Sequence, residues 1–478
     1  FLFGSHFASD DLSGYGTLFT KDILDSIPKD IVYSTLSEGS LRLPAGQSLG
    51  KVHPGSAFLY ENVDNLNVMG GIYPLTATKP RSMLVQTKIC KDIEDLVGLS
   101  YKDENGRLRY DVPKMGRKSI DGQYGPINKW TRKINAEKVP VNLEKLEVVS
   151  DLLLKRFLDN IPETVQPTTM WVAQNGFPKN FYIRAMKNST SGGYSFPGKK
   201  RNYLIEKPHE LKDEAVEPNF KVVEQVLEIF RCYEKEELAN NILGAQLKDE
   251  SRSREKVDSG STRVFAMSDY ASTLANRMIL MPFYSLMSQY PEVFCTAIGY
   301  NMHGPVAHDL REKVYSITNR NFFGGDYSGY DTAMPTEIGY SCNRIVYDFL
   351  KSKGYNNKAL LLAKGVLNDN LFPVLAVDGS LVQIPGFQPS GKYATAEDNS
   401  LRGLLLLFNA YCTICTPLGE GHKFNTTTSF EPESYFQLTY IKIYGDDVYG
   451  GVHDSVAEHF NCKVYSKFCK EIYGMDFT

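Results

Sequence analysis

The sequence predicts an α+β fold in which helices cover one face of a sheet, and three observations predict it. Segments with apolar residues at helical spacing are interspersed with segments rich in β-branched and aromatic residues, the two periodicities that separate helix from strand. A strand, turn and helix pattern occupies 322–349 and a hairpin pattern 438–452. At 478 residues, with 42% hydrophobic and 23% charged content, the chain has room for roughly two or three domain-sized units and an extensive core.

The elements follow in order. Residues 1–70 are rich in Gly, Ser and Pro without sustained periodicity, so no element is assigned there. In 142–158, Leu146, Val149, Leu153 and Phe157 fall on one helical face, and 222–240 continues in that style with Val223, Val226, Leu227 and Phe230. Phe322 and Phe323 end a strand before Asp326; Pro335 then suits a first helical turn, and Ile338, Cys342, Ile345 and Phe349 recur at helical spacing. In 389–399 a Ser-Gly pair gives a flexible loop, and Thr395 and Asn399, four apart, share a face of the helix that follows. The apolar run 404–414 is interrupted by Asn409 and falls short of the ~20 residues of a bilayer span, so no spanning helix is expected. Cys412 and Cys415 lie in that run and read as buried thiols, with no second pair to complete a zinc site. Residues 438–452 read as a hairpin with Gly445, Asp446 and Asp447 at its turn, and 454–473 as helix-like.

Three acidic motifs in fixed order carry the chemistry: DYSGYD at 326–331, PSGKYATAEDN at 389–399 and YGDD at 444–447. Each alone is an ordinary turn; together they describe a nucleotidyl-transfer site, because a two-metal clamp needs Asp side chains brought from separate strands. Asp326 and Asp446 are the expected metal ligands, with Asp447 completing or tuning the site. Two Mg²⁺ ions are the expected cofactors, Mn²⁺ being an alternative, since hard carboxylate oxygens suit them. Selection of a ribose 2′-hydroxyl, which both donates and accepts, points to Asp331, Ser390, Thr395 and Asn399.

A net charge of -3 gives no argument for a nucleic-acid partner, so any electrostatic footprint must come from local clusters. The stretch 248–263 supplies Lys248, Arg252, Arg254, Lys256 and Arg263 for a triphosphate, although four acids are interleaved and self-pairing is the competing reading. Ser189, Thr190, Ser191 and Gly192, followed by Lys199, Lys200 and Arg201, offer amides, hydroxyls and charge to template phosphates.

These residues resemble the RNA-dependent RNA polymerases of picorna-like positive-strand RNA viruses. DYSGYD is similar to that family's motif A, SGKYATAEDN to motif B, YGDD to motif C, KDESRSREKVDSGSTR to motif F and STSGGYSFPGKKR to motif G, over about 189–478. The resemblance implies a right-hand polymerase: 1–282 as N-terminal segment and fingers, 283–365 as palm, 366–388 as a fingers insertion and 389–478 as palm again. It further implies that Lys256 and Arg263 face the incoming nucleotide and that Gly391 lies along the template. The implied partners are RNA template and primer, NTPs, a small genome-linked protein primer carrying a Tyr and other viral replication proteins. The implied location is the host-cell cytoplasm at membrane-associated replication complexes, within a polyprotein.

Two departures qualify the resemblance. The family's motif D, whose opening is similar to YGMDFT at 473–478, leads to a lysine that protonates the leaving pyrophosphate, and the chain ends at Thr478 before it. That acid, the motif E hairpin and the thumb are expected to be missing from this chain. Residues 1–188 match only loosely, mainly at Thr78 to Arg81. A reverse transcriptase, which blocks the 2′-hydroxyl with a bulky side chain, is disfavoured by Asp331 with Asn399, and a catalytically silent scaffold by the retention of all three motif aspartates.

Overall fold

Two sheets organise the chain. The computed structural model describes residues 41–478 apart from 42, 45, 55, 57, 59–64, 75–83, 85–88, 99–101, 115–124, 137, 178–179 and 206–215. The match at Thr78 to Arg81 lies outside the described residues. The larger sheet has six strands in the order β1-β2-β9-β8-β4-β6: β1 Ser48–Gly50, β2 Asn67–Tyr73, β9 Ser380–Gln383, β8 Val374–Val377, β4 Ile242–Leu247 and β6 Val264–Met267. The smaller is three-stranded, with β11 Asp447–Val452 between β10 Thr439–Tyr444 and β7 Phe322–Gly325, antiparallel throughout. A short ladder pairs β3 Tyr110–Asp111 with β5 Arg252–Ser253.

Helices bury the smaller sheet. Thr395–Cys415 is buried all round from Asp398 onward, as its apolar run requires, and Cys412 and Cys415 are buried free thiols within it. It packs on β10, where a Cβ at Gly403 would stand 3.1 Å from Ile443. The helices Leu143–Asn160 and Thr336–Ser352 bury the faces expected of them, Leu146, Val149, Leu153 and Phe157 in the first and Ile338, Cys342, Ile345 and Phe349 in the second. Tyr270–Gln289 is the central helix of the same core, buried along nearly its whole length.

Two expectations change. The helix expected over 222–240 is Phe220–Glu234, ending where Lys235 to Glu237 bring adjacent charges and Glu236 takes φ 60°; Val222, Val226, Ile229, Phe230 and Tyr233 form its buried stripe. The run 454–473 is not continuous, because Asn461 caps a new start by accepting from the amides of Lys463 and Val464. The helices Tyr270–Gln289 and Asn357–Leu371 pack against each other in one continuous core.

Candidate active site

Strand register brings the acidic motifs together. Gly325 pairs with Val448, so one further antiparallel step sets Asp326 opposite Asp447, while Tyr444 pairs with Asp447 and leaves Gly445 and Asp446 as the turn. Gly445 takes φ 66°, a conformation that costs glycine nothing and a side chain a good deal. All three aspartates are exposed at this end of the sheet. Partial desolvation raises the Asp446 carboxyl above its ordinary range, the charges of Asp326 and Asp447 raise it further, and Arg263 opposes them. The first and third motifs therefore share one electrostatic site.

Flanking elements fix this arrangement. The Gly445 amide donates to Ser400 Oγ at 2.9 Å, hanging the turn on the motif B helix, and the Tyr330 hydroxyl donates to the Asn399 carbonyl at 2.8 Å. On the far side of β7, residues 476–478 add a short antiparallel stretch: the Asp326 amide donates to Thr478 O at 2.9 Å and the Ser328 amide to Asp476 O at 2.9 Å. Gly325 permits it, since a Cβ there would lie 2.5 Å from the Phe477 ring.

The ribose candidates separate into distinct environments. Asn399 is 6% exposed and its Oδ1 is buried without a hydrogen-bond partner, an acceptor that a ligand hydroxyl would satisfy. Asp331 is half-buried, its carboxyl pushed up to about 6 by burial and then by Asp446, against Arg402, Lys392 and Arg263. The Thr395 hydroxyl is engaged by the loop, lying 3.0 Å from Lys392 O and 3.2 Å from Pro389 O. Ser390 is exposed. Gly391 docks on β6: its carbonyl accepts from Ser268 at 3.2 Å, and a Cβ would stand 2.2 Å from Ala266 O.

The basic candidates divide likewise. Glu250 gathers Lys248 at 3.2 Å, Arg263 at 3.8 Å and Arg252, so part of the self-pairing raised by the interleaved acids is present. Arg254 is committed to Asp111 at 3.3 Å and to Leu108 O at 2.8 Å. Arg263, 62% exposed, nevertheless projects its charge onto Asp331 and Asp446, and Lys256 is exposed. Of the template candidates, Ser189, Thr190, Lys199 and Arg201 are exposed and Ser191 half-buried. Lys200 is 8% exposed and turned inward, donating to Thr190 Oγ1 at 2.8 Å and Ser191 O at 2.7 Å. Gly192 is buried, with a Cβ position 2.4 Å from Phe196 O, so it shapes the loop. Asp269 anchors that loop through the Ser195 amide at 2.9 Å.

Among the described residues, no group of three or more His, Cys, Asp or Glu stands where it could hold a metal ion. The donor set still suits Mg²⁺, which keeps several waters and needs few carboxylates, and the mutual repulsion registered at Asp446 is what a bound cation would relieve.

Sequence reasoning passed over Ser400, Tyr330, Gln388, Lys392, Asp398 and Arg402, which hold the motifs in place. The spacing of Asp398 and Arg402, four apart on the motif B helix, is the signal that marks such a pair.

Comparison with known proteins decides the family: residues 103–478 match the model of viral RNA-dependent RNA polymerases. The chain belongs to that family. This polymerase is 26% identical over 322 residues to the RNA1 polyprotein of Satsuma dwarf virus, covering 65% of this chain and 15% of that one. It is 22% identical over 313 residues to the replicase polyprotein of Cricket paralysis virus, covering 63% and 17%, and 26% identical over 283 residues to the genome polyprotein of Human parechovirus 2, covering 57% and 12%. The polymerase thus spans under a fifth of each of these polyproteins. Among solved structures it is similar to the Sicinivirus 3Dpol RNA dependent RNA polymerase, with a TM-score of 0.61 and 15% identity over 77% of this chain and 70% of that one. The likeness supports a right-hand polymerase fold of mixed helices and sheets, and the resemblance to picorna-like virus polymerases is borne out. No helix among the described residues is long and apolar enough to cross a membrane.

Proposed function

We propose that this polymerase copies an RNA template, transferring ribonucleotides from NTPs to an RNA 3′ end during replication of a positive-strand virus genome in the host cytoplasm. The observation that carries the reading is the register that sets Asp326 beside Asp447 and the Asp446 turn, with Asn399 on the helix that holds that turn. Asp326 and Asp446, assisted by Asp447, would hold two divalent cations; when bound, these stabilise the entering and leaving oxygens of phosphoryl transfer.

The chain's own residues then bind and orient. Arg263 and Lys256 meet the triphosphate, Arg263 already biased toward the acidic site by its field on Asp331 and Asp446. The unpartnered Asn399 Oδ1 accepts from the ribose 2′-hydroxyl, so a deoxyribose leaves a buried acceptor unsatisfied. Lys199 and Arg201, on the loop anchored by Asp269, contact template phosphates. A small genome-linked protein primer and other viral replication proteins are the fitting partners.

The test is extension of a primed RNA template with ribonucleotides, with and without divalent cation, by the full polymerase and its Asp446→Ala variant. Extension is expected to require the cation and to fall by about 100-fold or more in the variant, while primer-template binding stays within about twofold. Cation-independent extension, or an unimpaired variant, contradicts the reading.

A further inference from the structure

The loop 388–392, which carries Ser390 and Gly391 to the site, is tied at both ends to a single buried atom. Gln388 Nε2 and Lys392 Nζ donate to Oδ2 of Asp398 at 2.6 and 2.7 Å. Arg402, one turn along the same helix, brings Nη2 to 3.3 Å from that oxygen. The Tyr284 hydroxyl, from the helix Tyr270–Gln289, stands 3.5 Å from Oδ1. The three charged side chains are sealed from water, at 6% exposure for Lys392, 2% for Asp398 and 1% for Arg402.

Two cations on one buried anion is not how a core gains stability, because desolvation offsets the attraction and apolar residues of equal volume serve as well or better. Arg402 is not even fully satisfied, since its Nε and Nη1 have no partner. Gly339 on the facing helix leaves the guanidinium its space; a Cβ there would stand 2.8 Å from Nη1. What the arrangement does achieve is geometric. Between its two anchors only three residues remain, and of these Gly391 is docked on β6 while the Pro389 carbonyl faces the Thr395 hydroxyl. Asn399 follows Asp398 directly on the helix, so the clamp and the orphaned ribose acceptor share one helical turn.

We propose that Asp398 is a positioning residue whose carboxylate, held by Lys392 and Arg402, clamps both ends of loop 388–392 and so presents Ser390, Gly391 and Asn399 to the substrate in one fixed pose. The proposal rests on the polymerase reading above. The clamp acts on the recognition of ribose and template and leaves the metal-binding aspartates untouched.

Lys392→Met tests it, because methionine keeps much of the stem, removes one anchor and leaves the Asp398–Arg402 pair. In single-nucleotide incorporation the variant is expected to raise the ribonucleotide KM about tenfold and lower ribose-over-deoxyribose discrimination about tenfold, with kcat within about threefold. Lys392→Arg should restore both, and the melting temperature of the Met variant should stay close to the parent's. A Met variant with the parent's KM and discrimination overturns the proposal, as does one whose losses merely track a lowered melting temperature and are not rescued by Arg. Amide hydrogen exchange of 388–392 in the substrate-free chain reads the clamp without turnover: faster exchange in Lys392→Met is expected, and equal exchange refutes it. A parent that extends no primer while its loop still loosens in the variant would sink the polymerase reading and leave the clamp standing.

Discussion

At Asn399 the proposed role rests on a single atom. Its Oδ1 is buried and without a partner, a state that costs about 1–3 kcal/mol until a donor arrives. Asn399→Ala removes the acceptor, so discrimination against deoxyribonucleotides is expected to fall by roughly five- to tenfold, measured as the ratio of kcat/KM values; an unchanged ratio contradicts the role. Asp269 makes a different demand. It is 2% exposed, and burial pushes its carboxyl up to about 6 despite the hydrogen bonds of Ser195 and the charge of Lys200. Its proton is held more tightly in the folded than in the unfolded chain, so its contribution to stability is complete below pH ~4 and is lost as pH rises through about 6, a change of about 3 kcal/mol. Asp269→Asn has no such titration. The stability of the Asn variant relative to the parent is expected to climb between pH 4 and 7 by denaturant melts, and parallel profiles would contradict the assignment.

At the scale of elements, the hairpin and the strand-turn-helix unit were legible because turn chemistry and periodicity are local. Gly445-Asp446 between aromatic and β-branched runs, and the stripe from Ile338 to Phe349, need no partner to be read. The exact faces of 222–240 were less legible, since Val222, Ile229 and Tyr233 join the buried stripe only once Asn357–Leu371 and Tyr270–Gln289 pack against it. The break at Asn461 was hidden because a cap of this kind interrupts a pattern without changing its average polarity. The motifs mark candidate residues but not their partners: Lys200 and Thr395 are engaged by their own loops, a fact that depends on three-dimensional neighbours. The central strand carries its own test. A Cβ at Gly450 would stand 2.1 Å from Tyr440 O on the adjoining strand, so Gly450→Ala must force β10 and β11 apart. A loss of about 1–3 kcal/mol or more is expected, together with lost primer extension; a variant that melts with the parent contradicts the close approach.

For the whole molecule, the near-neutral total of -3 gives no argument for a nucleic-acid partner, and the charge that matters is local. Positive charge from 248–263 and negative charge from two distant segments, 326–331 and 446–447, meet in one place, with Arg263 acting on both Asp331 and Asp446. Arg263→Ala is expected to raise the NTP KM by about tenfold or more, with template affinity nearly unchanged, in steady-state incorporation assays; an unaltered KM would remove it from the triphosphate site. The helices Tyr270–Gln289 and Asn357–Leu371 belong to one continuous core.

The central claim is that Asp326 and Asp446 together bind a pair of divalent cations. Electron paramagnetic resonance of Mn²⁺ bound to the polymerase with primer-template and NTP tests it most directly. Two ions per site are expected in the parent, with at least one lost in Asp446→Ala; identical Mn²⁺ occupancy in the two proteins would contradict the account.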